Sequence, residues 1–338
     1  MKIHYISNHS ILEYDEVKLL TEMGHDVFSN GAYLDPKGHF TLPRPGIDGM
    51  KYNDKFADLA RVNPKTDLPS ALIDPFDVII VMHQPDVIVQ NWDKFRGKRV
   101  IWRTIGQSVK STEAKLRHMR AEGLKIVRYS PKERNIPGYL GEDAMIRFYK
   151  DPEVYEGWTG EQKKVVNFSQ SLKGRREFCH YEEIIQVIEK FAGKVYGPGN
   201  DDLGEFNGGD QPYENQMEIM RKSRCMVYGG TWPASYTLSF IEALMMGLPI
   251  VAISKALAHL PNFEPFDFYE VDEILAQIGG IVCDTPEQMM GQVERLLNDD
   301  KHAKKISDKQ RELAIAMFGK DKIKSQWEGY LNELVSNS

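Results

Sequence analysis

Cysteine is scarce in this sequence. Its three cysteines, Cys179, Cys225 and Cys283, are odd in number and too widely spaced for a zinc knuckle or a disulfide framework. They are expected to be reduced packing residues. Long apolar runs are absent too, since no stretch approaches the roughly 18 to 20 apolar residues that cross a bilayer. The N-terminus lacks the apolar core and small-residue cleavage site of a signal peptide. Met1-Lys2-Ile3-His4-Tyr5-Ile6-Ser7 instead enters a short strand pattern directly, so a cytoplasmic location is the default expectation. There is no excess of positive charge: 43 Lys and Arg against 49 Asp and Glu leave a formal charge of -6, which disfavours a protein that coats a polyanion. Several chemistries also lack their motifs. No G-x-x-x-x-G-K-[ST], G-x-S-x-G or H-E-x-x-H pattern occurs, and Asp201-Asp202 and Asp299-Asp300 sit in polar contexts with no apolar strand before them. No metal is expected.

What is present is alternation. Short β-branched runs alternate with amphipathic stretches along the chain, which predicts parallel α/β layers. One series comprises Lys2 to Ser7, Asp26 to Phe28, Asp77 to Met82, Arg99 to Arg103 and Lys125 to Tyr129. The second comprises Lys164 to Ser169, Lys194 to Tyr196, Cys225 to Tyr228, Pro249 to Ile253 and Gly279 to Cys283. A length of 338 residues at about 150 per domain agrees with two domains. Tyr181, Ile184, Ile185, Ile188 and Phe191 recur at helical spacing, and Thr285-Pro286-Glu287-Gln288 reads as an N-cap, a first-turn proline and a capping-box partner. The polar stretch Tyr149 to Gln162, with Pro152, Gly157 and Gly160, reads as an interdomain linker, and Gly31 to Pro69 as a long irregular insertion. Ile323, Trp327, Tyr330, Leu331 and Leu334 form one stripe of a last helix that must lie against another apolar surface.

The richest segment runs from Tyr228 to Ala252: strand, Gly229-Gly230 loop, helix, Gly247 stop, strand. Glycine and small hydroxyl residues before a helix leave its first amides free, and with the helix dipole these form an anion site. A phosphate is expected at Ser235, Tyr236 and Thr237. Glu242 lies about 7 to 8 Å deeper along the helix among Leu238, Phe240, Ile241, Leu244 and Met245. A carboxylate in that company either faces a ligand or is buried against a Lys or Arg.

Ile241-Glu242-Ala243-Leu244-Met245-Met246-Gly247-Leu248-Pro249-Ile250-Val251-Ala252 resembles part of the donor helix of GT-B fold glycosyltransferases, in particular the large retaining, nucleotide-sugar-dependent group (glycosyltransferase family 4-like). The resemblance is best over Val165 to Leu297. It implies an α/β protein of the GT-B class, two Rossmann-like domains with parallel sheets facing across a cleft. Residues 1–155 would then form the acceptor domain and 163–320 the nucleotide-sugar donor domain, with 321–338 a C-terminal helix. It further implies that Glu242 holds the ribose and that Lys173 and Arg175 or Arg176, in Val165 to Arg176, neutralise the diphosphate. A solvated basic loop is the alternative for those cations. Gly193 to Asn200 is similar to the strand and turn that bracket the nucleobase, with Tyr196 and Gly197 as candidates; a hairpin-like turn without a ligand is the alternative. Two positions depart from the family pattern. Ala234 stands in place of the first donor-helix glutamate, and Gly106 in place of a histidine.

In the first domain His83 and Arg103 end strands, where ligands of open parallel sheets bind, and both are catalytic candidates. A lone histidine is, however, more often structural. Asn8 and His9 stand where the family has a turn facing sugar and acceptor. The implied reaction is transfer of a hexosyl group from a nucleoside-diphosphate sugar, UDP-glucose or a similar compound, to a hydroxyl acceptor. No cofactor is expected beyond this co-substrate. Alternatives are a hydrolysing nucleotide-sugar epimerase, a nucleotide-sugar-binding protein without turnover, and, least favoured by the charge, a DNA acceptor held by Arg99, Arg103, Lys110, Lys115, Arg117 and Arg120.

Overall fold

The computed structural model of the chain describes residues 1–29, 31–34, 44–49, 67–260 and 266–336. Most of the expected insertion from Gly31 to Pro69 therefore lies outside the described residues. The chain divides into two compact units, Met1–Phe148 with Asp321–Ser338, and Tyr149–Lys320.

The first unit comprises β1 (Lys2–Ile6), α1 (Ser10–Glu22), β2 (Asp26–Ser29), β3 (Val78–Met82), α2 (Pro85–Asn91), β4 (Arg99–Arg103), α3 (Lys110–Ala121), β5 (Lys125–Arg128) and β6 (Ala144–Met145). The strands form one parallel sheet in the order β2-β1-β3-β4-β5-β6. Every residue of β3 is fully buried, as expected where both faces of a parallel sheet are covered and the strand reads as a continuous apolar run. Ile79, Val81, Trp102, Leu116 and Ile126 share one core cluster.

The second unit contains β7 (Gln162–Phe168), α4 (Tyr181–Lys190), β8 (Lys194–Tyr196), β9 (Asn207–Gly209), α5 (Tyr213–Lys222), β10 (Ser223–Tyr228), α6 (Leu238–Met246), β11 (Ile250–Ile253), α7 (Lys255–Ala258), α8 (Val271–Ala276), β12 (Ile281–Cys283), α9 (Pro286–Asn298) and α10 (Asp300–Phe318). Its sheet is also parallel, ordered β12-β11-β10-β7-β8-β9. Phe240 to Met246 of α6 are all buried, so this helix, apolar but for Ser239 and Glu242, is covered all round. Gly247, at φ 78°, ends it. Thr285 Oγ1 accepts the Gln288 amide at 3.2 Å, while the Gln288 side chain accepts the Asp284 amide and not that of Thr285 itself.

Each sheet gains one short strand, β6 or β9, that no apolar run announces. The stretch expected as a linker is packed against the second unit. Tyr149, Lys150 and Tyr155 are buried, and Arg311 donates to the carbonyl oxygens of Pro152 and Tyr155. The last helix, α11 (Lys320–Ser336), buries Trp327, and Arg99 Nε donates to the Leu334 carbonyl.

Candidate functional site

In the second sheet β7 lies between β8 and β10, so the chain reverses its direction of winding there. Open parallel sheets bind ligands beyond the carboxyl ends of the strands at such a switch point. Backbone pairing of β7 with β10 runs to Val166 and Met226. One residue further, Asn167 Nδ2 donates to the Val227 carbonyl at 2.9 Å, so a side chain replaces the ladder. Asn167 is buried, and its Oδ1 has no hydrogen-bond partner among the described residues.

The loops leaving β7 and β8 interlock. Ser169 N donates to Tyr196 O and Ser171 N to Pro198 O, while Asn200 Nδ2 donates to both Ser169 O and Gly197 O. Ser171, Arg176 and His180 all have left-handed backbones, with φ of 44°, 33° and 55°. Such conformations cost about 1 kcal/mol or more for a residue with a Cβ, and they cluster where surrounding structure imposes them for function. Burial lowers the His180 pKa to about 4. Gly197 adopts φ 128°, and a Cβ there would stand 2.8 Å from Ser169 O. Gly197→Ala is therefore expected to destabilise the second unit by about 1 to 3 kcal/mol. Urea unfolding with the midpoint unchanged would show that the two loops adjust freely.

The loop after β10 docks on the same framework. A Cβ at Gly229 would lie 2.8 Å from the Cys179 carbonyl, and Trp232 N donates to Phe178 O at 2.8 Å. Thr237 is the N-cap of α6, yet its side chain caps no helix amide. Its Oγ1 pairs with Ser239 Oγ at 2.9 Å, and its own amide donates to Tyr228 Oη at 3.0 Å. The first-turn amides of α6 are thus left without a cap from Thr237, the condition for an anion site at a helix N-terminus.

The helix begins at Leu238, three residues beyond Ser235. Ser235 and Tyr236 are buried. Ser235 O accepts the Glu270 amide, and the Tyr236 ring meets Phe318 edge-on at 5.5 Å. Of the three expected contacts, Thr237 alone adjoins the first turn. Tyr196 is a buried ring stacked on Phe168 at 5.6 Å. Lys173 is exposed, and Arg175 is half-buried with Nε donating to Gln170 O. Arg176 is exposed and paired with Glu182. Glu242 is buried, with Oε1 2.8 Å from Lys150 Nζ and 3.1 Å from Tyr155 Oη, and Oε2 3.4 Å from Gln216 Nε2. Sequence reading left a lysine or arginine partner open for Glu242, and the structure supplies Lys150. Asn167 was missed, although a polar residue inside Val165-Val166-Asn167-Phe168 was the available signal.

The first sheet has its own switch point, with β1 between β2 and β3. Asn8 is exposed in the turn after β1, and His9 caps α1, its Nδ1 accepting the Leu12 amide at 3.4 Å. His83 ends β3 in a left-handed conformation, φ 66°, with its amide donating to Arg103 O. Burial lowers its pKa, so the imidazole is neutral at pH 7. The expectation of Arg103 as a ligand-facing cation is corrected. Its side chain is fully buried, with Nε and Nη2 2.9 and 2.7 Å from Glu16 Oε1 and the guanidinium 4.3 Å from the Phe148 ring centre. Of the six cations named for a DNA acceptor, Lys115 pairs with Asp86, Arg120 with Asp143 and Arg103 with Glu16. Among the described residues no three His, Cys, Asp or Glu side chains gather to hold a metal, and no helix is long and apolar enough to cross a membrane. Cys179, Cys225 and Cys283 are buried free thiols.

No family model and no curated protein matches this chain. Solved structures do. Sucrose-phosphate synthase from Thermosynechococcus elongatus is similar over 100% of both chains, at 11% identity and a TM-score of 0.68. Anabaena HepE, solved in complex with UDP-glucose, is similar over 99% of this chain and 100% of its own, at 12% identity and a TM-score of 0.68. A glycosyltransferase from Rickettsia africae is similar over 100% of this chain and 99% of its own, at 13% identity and a TM-score of 0.65. With two Rossmann-like units on parallel six-stranded sheets, the chain has the GT-B fold of these glycosyltransferases.

Proposed function

We propose that this protein transfers a sugar from a nucleoside-diphosphate sugar, of the UDP-glucose kind, to a hydroxyl acceptor. The observation that carries this reading is the N-terminus of α6, uncapped by Thr237, at the switch point of the second sheet. The diphosphate takes the first-turn amides of α6, with Thr237 beside them. Lys173 and Arg175, on the loop after β7, offset the negative charge that grows on the leaving diphosphate, where fixed cations lower the barrier. The Gly197 turn lets the nucleobase approach backbone groups closely. On the first unit, Asn8 and His9 orient the acceptor, and the neutral imidazole of His83 accepts the proton of its hydroxyl. No cofactor enters this reading.

Nucleoside diphosphates are expected to raise the melting temperature, because a ligand that prefers the native state stabilises it by mass action. Lys173→Ala combined with Arg175→Ala is expected to weaken UDP binding about 10- to 100-fold, the scale of lost charge-assisted hydrogen bonds. Thermal unfolding with and without UDP checks the first statement, and isothermal titration of UDP and UDP-glucose checks the second. Unchanged affinity in the double variant sinks the diphosphate assignment. The configuration of the product anomeric carbon, read by NMR, tests retention. Ala234 and Gly106, standing where the resemblance expects Glu and His, favour a second reading, a nucleotide-sugar-binding protein. Tight binding with no product across an acceptor screen would select it.

A further inference from the structure

The buried ion pair of Glu242 and Lys150 has a lopsided geometry. Oε1 of Glu242 takes two close donors, Lys150 Nζ at 2.8 Å and Tyr155 Oη at 3.1 Å, whereas Oε2 takes only Gln216 Nε2 at 3.4 Å. That last distance lies beyond the usual 2.7 to 3.2 Å range for such a bond. An ionised carboxylate has about four lone-pair directions, so Oε2 retains most of its accepting capacity in a site where water is scarce. Glu242 keeps 5% of its side-chain exposure and Lys150 2%. Lys150 is itself held firmly. Its amide donates to Phe318 O at 3.0 Å, its ammonium lies 5.3 Å from the Tyr155 ring centre, and its neighbour Asp151 pairs with Lys320 at 3.2 Å. Arg311 fastens the same segment, donating to Pro152 O and Tyr155 O and also to Met245 O at the end of α6. Residues 150 to 155 therefore form a strap whose one cation reaches the polar heart of an otherwise apolar helix.

We propose that Lys150 is a positioning residue of the donor site: with Tyr155 it holds Oε1 of Glu242 and thereby presents Oε2 to the pentose hydroxyls of a nucleoside diphosphate. This rests on the donor reading given above. A carboxylate held at one oxygen by a fixed ammonium cannot rotate without breaking an interior ion pair, so its second oxygen is preorganised. Hydrogen bonds from pentose hydroxyls to a buried carboxylate are charge-assisted, and losing them lowers affinity by about tenfold or more.

The test is titration calorimetry with UDP and with 2′,3′-dideoxy-UDP. The unaltered protein is expected to prefer UDP by about tenfold or more. Glu242→Gln and Lys150→Met are each expected to bring the preference below about threefold, while Lys150→Arg, which restores a cation, keeps most of it. Because Lys150→Met strands a buried carboxylate and can fail to fold, Tyr155→Phe provides the second reading. It removes one donor to Oε1 without changing charge and is expected to cut the preference severalfold. A folded Lys150→Met that keeps the full preference overturns the inference, and so does Tyr155→Phe with an unaltered preference. Failure of the unaltered protein to bind UDP at all overturns the donor reading itself and this inference with it.

Discussion

Arg128→Met is expected to weaken the first unit by about 4 kcal/mol, the scale on which a buried charge loses its counter-ion. Arg128 ends β5 with its side chain fully buried, and it grips Glu113 through two bonds, Nη1 to Oε1 at 2.6 Å and Nη2 to Oε2 at 2.9 Å. Glu113, on α3, is equally buried and also accepts the Leu140 amide. The guanidinium further donates to Gly141 O and lies 5.1 and 4.7 Å from the ring centres of Trp102 and Tyr139. Methionine fills part of the volume but leaves the Glu113 carboxylate without its counter-charge. Arg128→Lys is expected to recover less than half of the loss, since an ammonium cannot make the paired, planar contact. Urea unfolding of the full chain, followed through a first-unit probe, checks this. A loss under about 1 kcal/mol would mean that water enters and solvates Glu113.

Glu133→Gln is expected to reshape the dependence of stability on pH. Glu133 is buried beside the same guanidinium, with Oε2 accepting from Thr104 Oγ1 at 2.8 Å and Tyr129 N at 2.9 Å. Its ion-pair distance to Arg128 is 3.5 Å, which by itself would favour the ionised form. Burial prevails, because Arg128 is already committed to Glu113, and the Glu133 carboxyl is pushed up from 4.5 to about 7. The folded state therefore binds more protons than the unfolded state between these values. The stabilising contribution is complete below about 4.5 and is lost as pH rises through about 7. The span corresponds to about 3 kcal/mol. Two histidines act in the opposite sense. Burial lowers His4 and His180 from 6.5 to about 4, so the stability they contribute is complete above 6.5 and is lost as pH falls through about 4. Between pH 6 and 8 the loss from Glu133 and the gain from the two histidines nearly cancel, so these three groups leave stability almost flat there. Removing the Glu133 carboxyl leaves the two histidines unopposed, so stability is expected to rise more steeply with pH above 4.5 and to keep rising, by about 1 to 2 kcal/mol, between pH 6 and 8. Melting curves across pH 4 to 9 decide it, and a profile unchanged in Glu133→Gln would assign the flat region to other groups.

The strands and the main helices were legible in the sequence because their signals are local. Val78-Ile79-Ile80-Val81-Met82 reads as a covered parallel strand, and every residue of it is buried. Thr285 and Gly247 mark the helix start and stop that the backbone shows. The Gly229 to Thr237 loop was recognisable as a turn between strand and helix from its residue types alone, whereas the residue at which α6 starts, Leu238, was not. Ser and Tyr at the turn are compatible with either register, and the choice falls to the Tyr228 hydroxyl that takes the Thr237 amide and to the pocket that takes the Tyr236 ring. Strands β6 and β9 were missed because two- and three-residue edge strands bury too little to impose a pattern.

The sequence by itself determined the alternation of strands and helices, the absence of membrane-spanning runs, and the glycine-rich turn ahead of α6, since period, cap and turn residues act over a few positions of chain. The tertiary structure decided which partner each buried charge meets. Arg103 and Glu242 both stood out as candidates by position, yet one meets Glu16 and the other Lys150, partners that no local pattern announces. The desolvation of a charge and its compensation depend on which distant side chain arrives beside it, and only the folded chain brings Glu16 to β4 and the strap of Lys150 and Tyr155 to α6.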